Sequence, residues 1–234
     1  MQKILVLDLV NASNKDSQLK YINDVLGERA AEMDFRDIVV YRDGVNPKDV
    51  LWADKIIAGG SVHSVYEELV WKKDLQKTFD LILSRRIPTH TICFSTQFLA
   101  DFLGSKVHAN PNGHEFGSVL VELTEAGRQH ELLSLVEGKR VHTSHSDCIE
   151  RVPAGATLLA RNGNTEVQAF KYENILATQF HTDLPTEAMH YILDLRKGAG
   201  RINLRDDNHY QEIKNELELG ENSHQILRNF VFGN

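Results

Sequence analysis

Thr91-Ile-Cys-Phe-Ser-Thr-Gln-Phe-Leu-Ala100 joins two kinds of local order in ten residues. Its front continues the short apolar run Thr89-His-Thr-Ile-Cys93. Its back, residues 96–103, has helical spacing and stops at Gly104, a natural C-terminal cap. The reading is strand, tight turn, helix, with Cys93 on the turn. A side chain in that place is forced outward, and the adjoining helix N-terminus favours a thiolate. The backbone N–H of Phe94 would point into the same space, where it can help bind an oxyanion. Taken alone, a cysteine is more often a buried core thiol. The small neighbours that such a turn needs are here Thr91 and Ser95 rather than glycine.

Three more apolar runs precede this one: Lys3-Ile-Leu-Val-Leu-Asp8, Asp37-Ile-Val-Val-Tyr41 and Asp54-Lys-Ile-Ile-Ala-Gly59. Each is nearly continuous rather than alternating, as in parallel strands buried on both faces. Helical stripes lie between them. Residues 17–33 carry Leu19, Ile22, Val25, Leu26 and Ala30, and residues 65–84 carry Leu69, Leu75, Phe79 and Leu83, before Pro88. Strand–helix alternation of this kind implies an α/β fold: a doubly wound, three-layer αβα sheet with right-handed crossovers.

The second half changes character. Residues 115–123, 139–142, 166–172 and 175–180 are short strand candidates with close turns, expected to extend the sheet in an antiparallel or mixed way. From Pro185 onward the chain reads as a C-terminal helical extension, with residues 198–207 as a loop. Nothing splits the chain, so residues 1–234 are expected to form a single domain.

Composition narrows the function. The 234 residues are 41% hydrophobic and 25% charged, with a formal net charge of −7. A basic face for phosphate is lacking, which argues against nucleic acid as a partner. No apolar stretch approaches a membrane span, so no membrane partner is expected. The run from Ile4 to Val10 is interrupted by Asp8 and reads as a first strand rather than a leader. Two cysteines, Cys93 and Cys148, cannot build a disulfide framework. A reducing, cytoplasmic setting is the expectation.

Two other places carry candidate chemistry. In Gln179-Phe-His-Thr-Asp183 the histidine and aspartate are two apart on an extended chain and face the same way. Asp183 can then approach His181 and fix its tautomer; the plainer alternative is a surface histidine beside a surface aspartate. Ala58-Gly-Gly-Ser61 follows the third strand. Two glycines there permit positive φ and close backbone approach, and the N–H of Gly60 is available to an oxyanion; an ordinary turn pair is the common alternative.

Together these residues resemble the class I glutamine amidotransferases. The family's Gly-Ile-Cys-Leu-Gly-His-Gln-Leu-Leu-Ala is similar to the stretch from Thr91 to Ala100, its Gln-Phe-His-Pro-Glu to the stretch from Gln179 to Asp183, and its Ser-Gly-Gly-Pro and Ser-Val-Tyr elements to Ala58-Gly-Gly-Ser61 and Ser64-Val-Tyr66. Glu115-Phe-Gly117, Val121-Glu-Leu-Thr124, Ser144-His-Ser-Asp147 and Val167-Gln-Ala-Phe170 also fit, in order. The resemblance implies a flavodoxin-like, mostly parallel sheet and a cysteine nucleophile, with Cys93, His181 and Asp183 catalytic. It further implies Gly60 and Phe94 as the oxyanion hole, and Gly59, Gln97, Ser144, His145 and Ser146 around the substrate. No cofactor and no metal are implied. The departures are Thr91 and Ser95 for Gly, Thr96 for His, Thr182 for Pro, and Asp183 for Glu, one methylene shorter.

His142 and His145 do not suggest a metal pair, because no cysteine or carboxylate cluster accompanies them. Cys148 reads as a packing residue. Three functions stay open. The first is hydrolysis of glutamine with ammonia passed to an acceptor on a separate synthetase subunit, since the chain has no Gly-rich phosphate loop. The second is a stand-alone γ-glutamyl hydrolase or peptidase, with a γ-glutamyl compound as its small-molecule substrate. The third is a catalytically degenerate binding module.

Overall fold

The computed structural model describes residues 1–10, 17–200, 202 and 204–233. In chain order its elements are β1 (Gln2–Asp8), α1 (Gln18–Leu26), β2 (Met33–Val39), α2 (Val40–Asp43), α3 (Pro47–Trp52), β3 (Lys55–Ala58), α4 (Lys72–Arg85), β4 (Thr89–Ile92), α5 (Phe94–Phe102), β5 (Val107–Ala109), β6 (Glu115–Leu120), β7 (Glu122–Leu123), α6 (Glu125–Gln129), β8 (Arg140–His145), β9 (Asp147–Ile149), β10 (Thr157–Arg161), β11 (Ala169–Tyr172), β12 (Ile175–Thr178), α7 (Thr186–Gly198), α8 (Asp207–Glu216) and α9 (His224–Phe232).

The main sheet has the order β2-β1-β3-β4-β12-β11-β10-β7. From β2 to β12 every neighbour is parallel. From β12 to β7 every neighbour is antiparallel. The continuous apolar strands have the reason expected of them. In β1, Leu5 and Leu7 face a core shared with Val50, Phe79 and Phe98, while Ile4 and Val6 face Ile22, Val25, Leu227 and Val231. Helices therefore cover both faces, and the fold is a three-layer α/β one with a mostly parallel sheet. Of the C-terminal helices, only α7 and α8 pack apart, in a cluster with Tyr21, Leu184 and Leu217. The last helix, α9, belongs to the α1 layer. Lys55 fixes its end: the buried ammonium donates to the carbonyls of Phe230 at 2.8 Å and Gly233 at 2.6 Å.

Several expected boundaries shift. The second strand starts at Met33 instead of Asp37, and Val40 and Tyr41 already belong to the helical turn of α2. The first helix gives way after Leu26 to a 3-10 turn over Gly27–Glu32. Residues 65–71 do not join α4. Glu67 instead accepts from the Ser64 N–H and from His63, both at 2.8 Å, and holds this segment in turns. The expected strand 115–123 breaks at Val121: β6 pairs only with β8, in a separate two-stranded sheet, and only β7 reaches the main one. Helix α7 runs through Gly198, and parts of the expected loop at 198–207 lie outside the described residues.

The register decides where chemistry can gather. Leu7 aligns with Ala58, Ala58 with Thr91, and Thr91 with Ala177. The carboxyl ends of four parallel strands thus come level, carrying Asp8, Gly59, Cys93 and the 179–183 segment on one edge. Open α/β sheets place ligands at that edge.

Candidate active site

Cys93 caps α5 with φ 54° and ψ −108°, a conformation that costs a non-glycine residue about 1–3 kcal/mol. Its neighbours hold it there. The Cys93 N–H donates to Thr178 O at 2.8 Å. Thr96 Oγ1 donates to that same carbonyl at 2.9 Å and lies 2.9 Å from Thr91 Oγ1. Ser95 Oγ accepts from the Ile92 N–H at 2.9 Å and reaches Ala58 O at 2.5 Å. Thr91, Ser95 and Thr96 are fully buried. Hydroxyls therefore stitch the turn at the positions where glycine or histidine was the pattern.

His181 follows β12. Its N–H donates to His142 O at 2.8 Å, an isolated bridge that ties β8 to the site. Its Nδ1 lies 2.9 Å from Asp183 Oδ1, so the shorter carboxylate reaches the ring. Its side chain lines the same cavity as Cys93, and both flank Gly60. Burial opposes the imidazolium, but the Asp183 carboxylate and Cys93 outweigh it and raise the His181 pKa well above the usual range. Burial likewise raises Asp183, while the charge and hydrogen bond of His181 and the Gln18 amide pull it down on balance. The pair is thus held as imidazolium and carboxylate. Between them Thr182 Oγ1 lies 2.9 Å from Nε2 of His90, a histidine that burial pushes down to about 4.

The glycine pair acts through close approach; neither member has positive φ among the described residues. A Cβ on Gly60 would lie 3.1 Å from His181 Cε1 and 3.6 Å from Cys93 Cβ. One on Gly59 would sit 1.6 Å from Gln18 Oε1. Among the described hydrogen bonds, the N–H groups of Gly60 and Phe94 have no acceptor, which leaves both available to an oxyanion.

A cavity of about 750 Å³ collects Cys93, His181, Asp183, Gly60 and Gln97. Ser144, His145 and Ser146 line it as well. Gly59 does not; its missing side chain makes room for Gln18. The His145 ring is turned to internal partners, with Nε2 2.8 Å from Glu115 Oε2 and Nδ1 3.0 Å from Asp147 O. Gln97 Nε2 donates to Asp147 O at 3.2 Å and to Gln179 Oε1 at 3.1 Å. Cys148 stands outside the cavity, 3.7 Å from His108 Nδ1, and burial pushes its thiol up.

Sequence reading missed Gln18. It is 1% exposed, and its Nε2 donates to Asp183 Oδ2 at 2.9 Å while its N–H donates to Asp8 Oδ2 at 3.0 Å. A polar residue among the apolar positions of α1 was the only available signal. Arg196, on α7 at the far side of the cavity, was missed too, because it sits in a helix that carried no motif.

The chain matches the family model for glutamine amidotransferase class-I over residues 14–193. It is 36% identical over 133 residues to a glutamine-hydrolyzing GMP synthase of Brachyspira hyodysenteriae, covering 55% of this chain and 24% of the relative. To that of Bacteroides fragilis it is 30% identical over 188 residues, covering 78% of this chain and 33% of the relative. The chain therefore spans a third or less of the length of these relatives. A glutamine amidotransferase of Thermotoga maritima of known crystal structure superposes with a TM-score of 0.73 over 99% of both chains, at 19% identity, a likeness of fold. By its sequence match, the chain belongs to the class I glutamine amidotransferase family.

Proposed function

We propose that the chain hydrolyses the side-chain amide of glutamine, with Cys93 as nucleophile, His181 as base and acid, and Asp183 as its orienting partner. The observation that carries this is the strained Cys93 on its turn, in one cavity with a His181 that Asp183 holds through Nδ1. Cys93 Sγ, its proton passed to His181, attacks the amide carbon as thiolate. The N–H groups of Gly60 and Phe94 hold the negative oxygen. Protonated His181 then gives its proton to the departing nitrogen, leaving ammonia and a thioester. Water, deprotonated by His181, attacks the thioester and releases glutamate and the sulfur. Gln97 and the segment Ser144–Ser146 bind the glutamate portion.

The ammonia would serve an acceptor on a separate partner, a reading supported by relatives more than twice the length of this chain. Two free cysteines suit a reducing cytoplasm. The cavity favours a second reading. At about 750 Å³ it is large enough for a drug-sized molecule, so a γ-glutamyl amide with a substituent on nitrogen also fits. Purified protein incubated with glutamine and with a γ-glutamyl dipeptide separates these readings. Glutamate from glutamine, lost in Cys93→Ala, supports the first. Release from the dipeptide alone moves the assignment to the second. Release from neither, with Cys93 no more reactive than free cysteine towards a glutamine-like electrophile, removes the catalytic assignment.

A further inference from the structure

His181 and Asp183 stand on an irregular segment. β12 ends at Thr178 and α7 starts at Thr186, and between them the backbone has one isolated bridge, at His181. Side chains hold the rest. Gln18 Nε2 donates to Asp183 at 2.9 Å, and His142 and His224 meet the carbonyl of Leu184 at 3.0 and 2.8 Å. Thr182, between His181 and Asp183, is fully buried, and its hydroxyl lies 2.9 Å from Nε2 of His90.

His90 is set to accept that bond. It lies on β4, three residues before Cys93 and level with Leu176 of β12. Strand alternation puts it on the face of Ile92, with its ring fully buried 5.6 Å from that of Phe230. Its Nδ1 is 3.1 Å from Leu176 O. A carbonyl only accepts, so Nδ1 carries a proton. Burial pushes the ring down to about 4, so it is neutral and that proton is its only one. Nε2 is then a bare lone pair, and Thr182 Oγ1 donates to it. Neither group is exposed, so no bulk water replaces the bond if it is lost.

The family pattern has proline at this position. A proline ring locks φ near −65° and stiffens the chain between the histidine and the carboxylate. Threonine has no such lock. Asp183, one methylene shorter than the glutamate of the pattern, also has less reach with which to absorb an error in that backbone.

We propose that His90 is a positioning residue: by holding the Thr182 hydroxyl it fixes the backbone between His181 and Asp183, the restraint that a proline ring gives in the family pattern. This rests on the roles proposed above for His181 and Asp183.

The test removes the acceptor and then the need for it. His90→Leu keeps an apolar side chain beside Phe230. It should lower kcat for glutamine by about 10- to 100-fold, the scale of a misplacement of about 1 Å, and leave KM within about threefold, because the residues assigned to the glutamate portion are untouched. His90→Gln, whose amide oxygen can accept from Thr182, should restore part of kcat. Thr182→Val should match His90→Leu, and the two together should cost no more than either alone. In a Thr182→Pro protein, which carries its own restraint, adding His90→Leu should change kcat less than about threefold. Thermal melts confirm folding. Proton NMR of the His181 Nδ1–H, which Asp183 accepts, reads the same geometry without turnover: His90→Leu should shift that resonance and Thr182→Pro should return it. Those shifts in a protein that does not hydrolyse glutamine would support the positioning role and defeat the hydrolytic reading. Hydrolysis by wild type with kcat of His90→Leu within threefold, or with the same loss whether or not Thr182→Pro is present, overturns the positioning role and leaves hydrolysis standing.

Discussion

Gly59→Ala tests the hidden support of the histidine–aspartate pair. The added Cβ would lie 1.6 Å from Gln18 Oε1, 1.8 Å from Nε2 and 1.9 Å from Cδ. Ordinary carbon contacts begin near 3.5 Å, so the amide must retreat by roughly 1.5–2 Å. The loop cannot retreat in its place, because Gly59 N–H donates to Leu7 O at 3.2 Å and Gly59 O accepts from Ser95 N–H at 3.3 Å. Gln18 Nε2 is 2.9 Å from Asp183 Oδ2, and a shift of that size ends the bond. Losing a hydrogen bond to a buried carboxylate costs about 1.5–3 kcal/mol. Where that loss falls on the transition state, kcat/KM for glutamine drops by about 10- to 150-fold.

Gln18→Ala should cost about the same, and Gly59→Ala in that background should cost little more, because the atoms it strikes are gone. The double-mutant cycle should therefore return a coupling of about 1.5–3 kcal/mol. Glutamate release by the four proteins, with thermal melts to confirm folding, reads this directly. Additive effects, or a Gly59→Ala protein within threefold of wild type, would refute the chain from Gly59 through Gln18 to Asp183.

Two further perturbations probe strain and charge. Cys93→Gly relieves a φ of 54° that Cys93→Ala retains; after the entropic cost of glycine, a net gain of about 1 kcal/mol should lift its thermal midpoint about 2–4 °C above the alanine protein. A glycine protein that melts lower removes the claim of stored strain. Glu115 accepts from His145 and Gln168 at 2.8 and 2.7 Å and from Asn162 at 2.7 Å; burial raises its pKa, but these partners outweigh burial and lower it from 4.5. A lowered carboxylate stabilises the fold above its unfolded pKa and loses that contribution as pH falls through the folded one. Glu115→Gln should thus unfold more easily by about 1.5–3 kcal/mol at pH 7, with the gap to wild type closing below about pH 4; denaturant titrations that give a constant gap would count against it.

The parallel half of the sheet was legible because its strands are buried on both faces and so are written as unbroken apolar runs. Ile4 and Val6 serve one core and Leu5 and Leu7 the other. The antiparallel half was less legible because its elements are short. β5, β9 and β10 are three to five residues long and have no periodicity to detect. Glu115–Leu120 reads as a strand but says nothing about its partner, and pairing with β8 away from the main sheet is a tertiary choice. At the site, Cys93, His181 and Asp183 were legible because each sits at the end of a recognisable strand. Gln18 and Arg196 reach the cavity from helices, where a polar residue facing inward resembles one facing water until the packing is known.

The departures from the family pattern bear on whether the site has decayed. A decaying site should accumulate buried polar groups whose former partners have gone, since such groups cost about 1–3 kcal/mol each and are removed only by selection. Here the altered positions carry partners of their own. Thr91 meets Thr96, and Thr96 bonds the carbonyl that also receives the Cys93 N–H. Ser95 bridges β4 to Ala58, at the loop that bears Gly60. Thr182 meets the buried His90, and Asp183 is met by both His181 and Gln18. Hydroxyls stand where glycine and proline were expected, and side-chain hydrogen bonds fix the turn and the loop. The carboxylate, one methylene shorter than glutamate, reaches the imidazole and accepts from the Gln18 amide as well. Replacements that carry partners of their own hold the turn of Cys93 and the loop of Gly60 in place without the glycines of the family pattern.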